Sequence, residues 1–359
     1  MNERPYDTVV VGGGQAGLAA AYHLRRAGLD FVVLDAQERP GGAWRRMWDS
    51  LHLFSPAAYS SLPGRPMPVQ SGEPYPEAAH AVRYLAAYEE RYDLPVVRPV
   101  RVWGVHRDGE LLRVEGDAGS WWARTVISAT GTWWRPFWPS VPGQRAFAGR
   151  HVHAADYRNP KDFAGQRVVV VGGGNSGAQI AADLATFDSG EEISLTWVTR
   201  RPPRWLPDDI DGRALFDAAT ARRRALEAGR ADTGGVAALG DIVAVPPVRE
   251  ARDHGLLAAR PMFIRLEVSG PVWANGSRQE ADAIVWATGF RPALAHLAPL
   301  GLRSGAGRGR IPVESTRARD EPRLHLLGYG DWTGPASATL IGVGRPAREA
   351  VRQIAALLG

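Results

Sequence analysis

Two short glycine-rich segments carry the clearest chemical signal in this chain. The first is Gly12-Gly13-Gly14-Gln15-Ala16-Gly17, and the second, 160 residues on, is Gly172-Gly173-Gly174-Asn175-Ser176-Gly177. Both place glycine at the first, third and sixth positions. The first glycine permits a tight turn, the third lets the backbone approach a pyrophosphate, and the sixth allows a helix to pack closely on a strand. Gln15 and Ala16, like Asn175 and Ser176, then stand where the free N–H groups of a helix start would face phosphates. The chemistry on offer is the binding of two dinucleotides.

The residues downstream of each turn separate the two sites. Asp35 lies 18 residues past Gly17 and can accept hydrogen bonds from ribose hydroxyls. The matching strand end of the second repeat is Thr199, with Arg200 and Arg201 next. An acid there repels a 2′-phosphate, whereas a neutral residue followed by arginines accepts one. FAD is therefore expected at the first site, and NADPH in preference to NADH at the second. Plain surface arginines are the alternative for Arg200 and Arg201.

The flanking segments read as the elements such turns need. Asp7 to Val11 is a β-branched run that suits a buried parallel strand, Leu18 to Arg26 a helix closed by Gly28, and Phe31 to Leu34 a second strand. Val168 to Val171, Ala178 to Ala185 and Ile193 to Val198 repeat the pattern. Ala81 to Arg91 reads as a helix, and Val96 to Val105 and Leu111 to Glu115 as strands. Thr125 to Ser128 runs into Ala129-Thr130-Gly131, and Ala283 to Trp286 into Ala287-Thr288-Gly289, as though the chain crosses between domains at both places. Leu324 to Leu327 leads to Gly328-Tyr329-Gly330-Asp331, and a closing helix is expected from Leu340. The fold class is α/β: two Rossmann-like dinucleotide-binding domains, with an NADPH domain over 157–289 inserted into an FAD domain over 1–156 and 290–359. Residues 214–260 have no clear pattern and read as a helical excursion or lid.

Composition narrows the chemistry further. The chain has 359 residues, enough for two ordinary domains. Its net charge of +5 is scattered rather than blocked, and Lys161 is the sole lysine, so nucleic acid is not expected as a partner. There is no cysteine, which excludes disulfides, thiolate metal sites, cysteine nucleophiles and electron transfer through a dithiol pair. His151, His153 and Asp156 lie close in sequence but lack a second ligand pair at a recognised spacing, so no metal is expected. No run of about 18 apolar residues suggests a membrane span. The start shows no signal-peptide pattern, and a cytoplasmic enzyme is the expectation.

Taken together, the motifs resemble those of class B flavin-dependent monooxygenases, which include the flavin-containing monooxygenases and the Baeyer–Villiger enzymes. The resemblance rests on both glycine turns, Gly41-Gly42-Ala43-Trp44, both Ala-Thr-Gly segments, and Gly330-Asp331. Its most specific part is Phe147-x-Gly149-x-x-x-His153-x-x-x-Tyr157, which ends in Tyr157-Arg158 rather than the Trp-Pro of the Baeyer–Villiger version. That points to the flavin-containing monooxygenase branch, short soluble bacterial type, with the stretch from Trp48 to Pro68 similar to arsenic-operon flavin monooxygenases.

The resemblance implies several roles. His153 would sit at the hinge between domains, with a packing histidine as the alternative. Asp331 would bond the flavin ribityl chain, and Thr339 and Leu340 would bring a helix N-terminus to the pyrimidine ring. Gly42, Ala43 and Trp44 would border the flavin ring, and Thr130, Gly131, Thr288 and Gly289 the cofactors. The family segment S-L-x-T-N-x-P appears here as Ser50-Leu51-His52-Leu53-Phe54-Ser55-Pro56. Phe54 replaces the asparagine that holds the oxygen adduct, leaving Ser55 and His52 as nearby polar candidates. The implied reaction is NADPH-dependent reduction of FAD, formation of a C4a-hydroperoxyflavin from O2, and oxygen transfer to a small thioether or amine. Baeyer–Villiger oxygenation and a cysteine-free flavin reductase or oxidase remain the alternatives. A homodimer is the common state in that family.

Overall fold

The computed structural model describes residues 4–188, 190–208, 221, 228, 242–302, 310–334 and 336–359. Most of the expected excursion at 214–260 lies outside the described residues, as do residues 1–3 at the start. The chain divides into two compact units. Unit 1 comprises Met1–Arg45, Pro56–Arg135 and Pro292–Gly359, and unit 2 comprises Arg46–Ser55 and Pro136–Arg291.

In unit 1, β1 (Tyr6–Val11), α1 (Gln15–Arg26) and β2 (Phe31–Leu34) form the first nucleotide unit. Then come α2 (Ala78–Arg91), β3 (Val96–Val97), and the antiparallel run β4 (Val102–Asp108), β5 (Leu111–Gly116) and β6 (Gly119–Ser128). The expected single strand from Val96 to Val105 is thus two strands, interrupted at Arg98-Pro99 because proline offers no N–H to a ladder. β1 pairs in parallel with β2 on one side and β6 on the other. The chain therefore leaves β1 in one direction and returns on the opposite flank. This opens a crevice at the carboxyl end of β1, the usual ligand position in such sheets. Val9, Val11, Val32, Leu34, Val126 and Leu324 pack together beneath it, all essentially buried.

Unit 2 repeats the plan. Here β7 (Arg150–His153), β8 (Arg167–Val171), α3 (Asn175–Ala185), β9 (Ser194–Thr199), α4 (Pro246–Asp253), β10 (Ala259–Pro261) and the hairpin β11 (Arg265–Glu267) and β12 (Gly270–Val272) lead to β13 (Ala283–Trp286). The parallel sheet has the order β10-β9-β8-β13-β7, so β8 again lies between neighbours reached in opposite directions. The chain enters unit 2 at Pro136, ahead of the expected boundary after Asp156. The reason is β7, which pairs along its length with β13 and sets Trp286 opposite His153.

Back in unit 1, β14 (Val313–Glu314), β15 (Arg317–Ala318) and β16 (Glu321–Leu326) extend the first sheet, and α5 (Gly344–Leu358) closes the chain. That helix starts later than the expected Leu340. Residues 336–343 form turns in which Ala336 has φ +55°, and the Thr339 hydroxyl donates to the Ala336 carbonyl while accepting from Gly342 N at 3.0 Å. A side chain that bonds its own neighbourhood in this way competes with helix formation. Among the described residues, no helix is long and apolar enough to cross a membrane.

Candidate functional site

Each glycine turn has the same division of labour, visible in what an added Cβ would meet. At Gly12 it would strike the Ala129 carbonyl, and at Gly17 the Gly12 carbonyl. At Gly172 it would strike the Ala287 carbonyl, and at Gly177 the Gly172 carbonyl. These four are close-packing glycines. Gly14 and Gly174 differ. A Cβ on Gly14 would reach only the Gly42 Cα, at 4.0 Å, and one on Gly174 would meet nothing within that range. Both residues also serve as N-caps without any side-chain hydrogen bond to the helix start. The first amides of α1 and α3 are therefore left to an external acceptor, beside the positive end of each helix dipole.

In unit 1, three further segments converge on the start of α1, two of them through Gln15. Its amide nitrogen donates to the Ala338 carbonyl at 2.7 Å, and its amide oxygen accepts from Trp44 Nε1 at 3.0 Å. Trp44 rides on a short turn over Gly42–Arg46 that also carries Ala43, and it remains partly open. Gly328 lies so close to Ala16 that a Cβ there would overlap it. Just beyond, Asp331 sits exposed in the turn Gly330–Thr333, anchored by the Ser337 hydroxyl donating to the Gly330 carbonyl at 2.7 Å. Gly42, Trp44 and Ala338 thus meet at the start of α1. Leu340 is buried in the 336–343 turn.

Asp35 holds its expected place at the end of β2, but it is not a free acceptor. Arg98 Nε donates to its Oδ2 at 2.8 Å, and Gln37 N donates to its Oδ1 at 3.3 Å. The same guanidinium grips Glu89 with both terminal nitrogens, at 2.5 and 2.7 Å. Two carboxylates hold Arg98 charged against the cost of burial. A carboxylate has about four acceptor positions, so these two bonds do not exhaust Asp35.

The two Ala-Thr-Gly segments have a role that their expected place among cofactor contacts did not suggest. Within unit 1, Ala293 N donates to the Gly131 carbonyl at 2.9 Å, and the Thr130 hydroxyl donates back to the Ala293 carbonyl at 2.7 Å. Within unit 2, Phe137 N donates to the Gly289 carbonyl at 2.9 Å, and the Thr288 hydroxyl donates back to the Phe137 carbonyl at 2.5 Å. Each threonine and glycine therefore clip a segment just past a point where the chain changes units. Thr130 also bonds the buried Tyr329 hydroxyl at 2.8 Å, which in turn meets Ser128 at 2.7 Å. Both threonine hydroxyls are thus engaged with backbone, while the side chains stay half-buried.

His153 is fully buried at the end of β7 in unit 2. Its ring packs against Trp138 and Phe290, with centroids 5.4 and 5.2 Å away, and those two residues lie next to the crossings. Nδ1 accepts from Ala155 N at 3.0 Å, so the proton of the neutral ring resides on Nε2, and burial lowers its pKa. A ring so enclosed cannot touch a substrate in this conformation. Phe147 and Tyr157 of the same motif are buried too, and a Cβ on Gly149 would collide with the Phe147 ring.

Phe54 and Ser55 are half-buried on the segment Arg46–Ser55, which packs as part of unit 2, and His52 shares it. His52 Nδ1 lies 3.0 Å from the Ser50 carbonyl. Arg200 and Arg201 are exposed just past the end of β9, where Thr199 is buried. Asn175 spends its side-chain oxygen on Val243 N at 2.8 Å, while Ser176 stays partly open.

Residues 9–208 match the family described as pyridine nucleotide-disulphide oxidoreductase. A flavin-containing monooxygenase from Stenotrophomonas maltophilia superposes with a TM-score of 0.89 at 49% identity, each chain covered over 99% of its length. The chain belongs to the pyridine nucleotide-disulphide oxidoreductase family, in its flavin-containing monooxygenase branch. It is accordingly an oxidoreductase of the flavin monooxygenase type. An uncharacterized oxidoreductase, CzcO, of Bacillus subtilis is 29% identical over 97% of this chain and 99% of its own. The indole-3-pyruvate monooxygenase YUCCA1 of Oryza sativa is 34% identical over 60% of this chain and 53% of its own. The family's name refers to a dithiol that this cysteine-free chain cannot provide.

Some functional residues gave little or no signal in sequence. Nothing marked Arg98 as the partner of Asp35, because 63 residues separate them. Ala293 and Phe137 act through backbone atoms and have no side-chain signature. Gln179 and Asp183 were legible in principle, as the two polar residues, one turn apart, in the otherwise apolar stretch 177–185.

Proposed function

We propose that unit 1 binds FAD, that unit 2 binds NADPH, and that the protein transfers one atom of dioxygen to a soft nucleophile such as a thioether or amine. The observation that carries this is the pair of uncapped glycine turns, one followed by a buried acid and the other by two exposed arginines. The residues around both turns fit the groups. Gly14 and Gly174 leave room where a Cβ would intrude on a pyrophosphate, and the free amides of α1 and α3 supply donors. When bound, a flavin reduced by the nicotinamide nucleotide supplies the activation of oxygen. For a thioether the balance is NADPH, a proton, dioxygen and the thioether giving NADP+, water and the corresponding sulfoxide.

The chain's own work is to bind, orient and keep water out. Asp35, steadied by Arg98, accepts from the adenosine ribose, while Arg200 and Arg201 meet the 2′-phosphate. Asp331 takes ribityl hydroxyls, and Trp44, fixed by Gln15, borders the ring. Phe54 places an apolar surface where the resembled S-L-x-T-N-x-P segment would place an amide, so it excludes water without offering a hydrogen bond. The test is a product balance: supply limiting NADPH in air with methyl phenyl sulfide, then measure sulfoxide and hydrogen peroxide. Sulfoxide formed at the expense of peroxide is expected. Peroxide equal to the NADPH consumed, with no oxygenated product, would mark an oxidase instead.

A further inference from the structure

Arg46–Ser55 is a strap that comes from the first part of the chain yet packs as part of unit 2. Its fastenings fall on one face of α3 and on the end of the His153 motif. Gln179 Nε2 donates to the His52 carbonyl at 3.2 Å. One helical turn later, the Asp183 carboxylate accepts from the Tyr157 hydroxyl at 2.6 Å and also from the Ser50 hydroxyl. Asp49 N donates to the Arg158 carbonyl at 3.0 Å, Asn159 Nδ2 donates to Asp49 Oδ2 at 3.0 Å, and the Trp48 ring meets Tyr157 edge-on. The spacings agree: residues four apart on a helix are about 6 Å apart along its axis, and two residues of chain reach at most about 7 Å.

The order of these contacts gives the strap a direction. Ser50 meets Asp183 and His52 meets Gln179, so the strap runs antiparallel to α3, towards that helix's N-terminal glycine turn. Phe54 and Ser55 come next along that path. Tyr157 is buried and Asp183 half-buried, and burial raises the Tyr157 pKa, so the phenol keeps its proton and stays the donor to Asp183. A phenylalanine at 157, which the motif also allows, would leave Asp183 without that donor.

We propose that Gln179 and Asp183, with Tyr157 behind them, are positioning residues that hold the strap so that Phe54 and Ser55 stand at the nucleotide end of α3. This rests on the assignment of a nicotinamide nucleotide to that turn. Through the strap, the helix that receives the nucleotide also sets how well the site beside it excludes water.

Hydrogen–deuterium exchange of the purified flavoprotein tests the anchoring, and the peroxide share of NADPH consumed tests its consequence. In Gln179→Leu, peptides over 46–55 should exchange about five-fold faster, the effect of losing one hydrogen bond, while 175–185 keeps its protection. The peroxide share should rise in that variant. Asp183→Asn, whose amide oxygen still accepts from a hydroxyl, should lie closer to the parent than Asp183→Leu in both measurements. Strap exchange at the parent rate in Gln179→Leu overturns the proposal, as does faster exchange with an unchanged peroxide share. If NADPH fails to reduce the parent flavin, the nucleotide assignment falls, while the exchange result still judges the anchoring by itself.

Discussion

At the scale of single residues, charge and its absence divide the work. Arg200 and Arg201 are exposed where the first repeat has buried Asp35. Replacing both with alanine should raise the KM for NADPH about ten-fold or more, since hydrogen bonds to charged groups contribute about 1.5–3 kcal/mol. The KM for NADH should change little. Steady-state kinetics with both nucleotides decides it, and equal rises would refute the 2′-phosphate role. Phe54 poses the opposite question. Phe54→Asn introduces the amide that the resembled S-L-x-T-N-x-P segment would place there, and the ratio of sulfoxide to peroxide should rise about five-fold, as one added hydrogen bond allows. An unchanged ratio would mean that the chain shields its oxygen chemistry without help at this position. Neither change touches a core residue, so both variants should fold.

At the scale of elements, the glycine turns make a paired test. A methyl group at Gly17 would collide with the Gly12 carbonyl, and one at Gly177 with the Gly172 carbonyl. Relieving such overpacking costs about 1–3 kcal/mol and shifts α1 or α3 off its strand. Gly17→Ala should therefore lose bound FAD, seen as a fall in absorbance near the flavin maximum. Gly177→Ala should keep its FAD but be reduced by NADPH about ten- to a hundred-fold more slowly, the rate equivalent of that energy. Loss of FAD in both variants would show that the turns are not independent. Much of this level was legible beforehand, because the local pattern of strand, turn and helix occupies some thirty consecutive residues. The clips at Thr130 and Thr288 were not, since each joins residues over 150 positions apart. The late start of α5 was also hidden, because the Thr339 hydroxyl bonds to backbone within three residues.

At the scale of the whole molecule, buried and half-buried histidines link stability to pH. Burial lowers His23 and His325 from the ordinary 6.5 to about 4, and lowers His153 as well. In the unfolded chain these rings take up protons as pH falls below 6.5, while the folded protein keeps them neutral. Their contribution is therefore fully present above pH 6.5 and is lost as pH falls towards 4. A fully shifted histidine costs about 1.4 kcal/mol for each pH unit in that window. Denaturant midpoints should drop between pH 7 and pH 5. His325→Phe should flatten the dependence, and a midpoint that stays level over this range would contradict it.

Chemistry that depends on neighbours along the chain was readable from the residues alone. The two nucleotide turns, the acid at one strand end and the arginines at the other, and the motif that led to the family are all local. Their signals survive because a strand, a turn and a helix are built by consecutive residues. Which side chains were already committed emerged only once the chain was folded. Asp35 proved to be held by Arg98, both threonines of the Ala-Thr-Gly segments to be clips, and His153 to be enclosed by Trp138 and Phe290. Folding also put Phe54 on a strap fastened to α3, more than a hundred residues downstream. Commitments of this kind arise from burial and from partners distant in sequence, and no spacing along the chain encodes them.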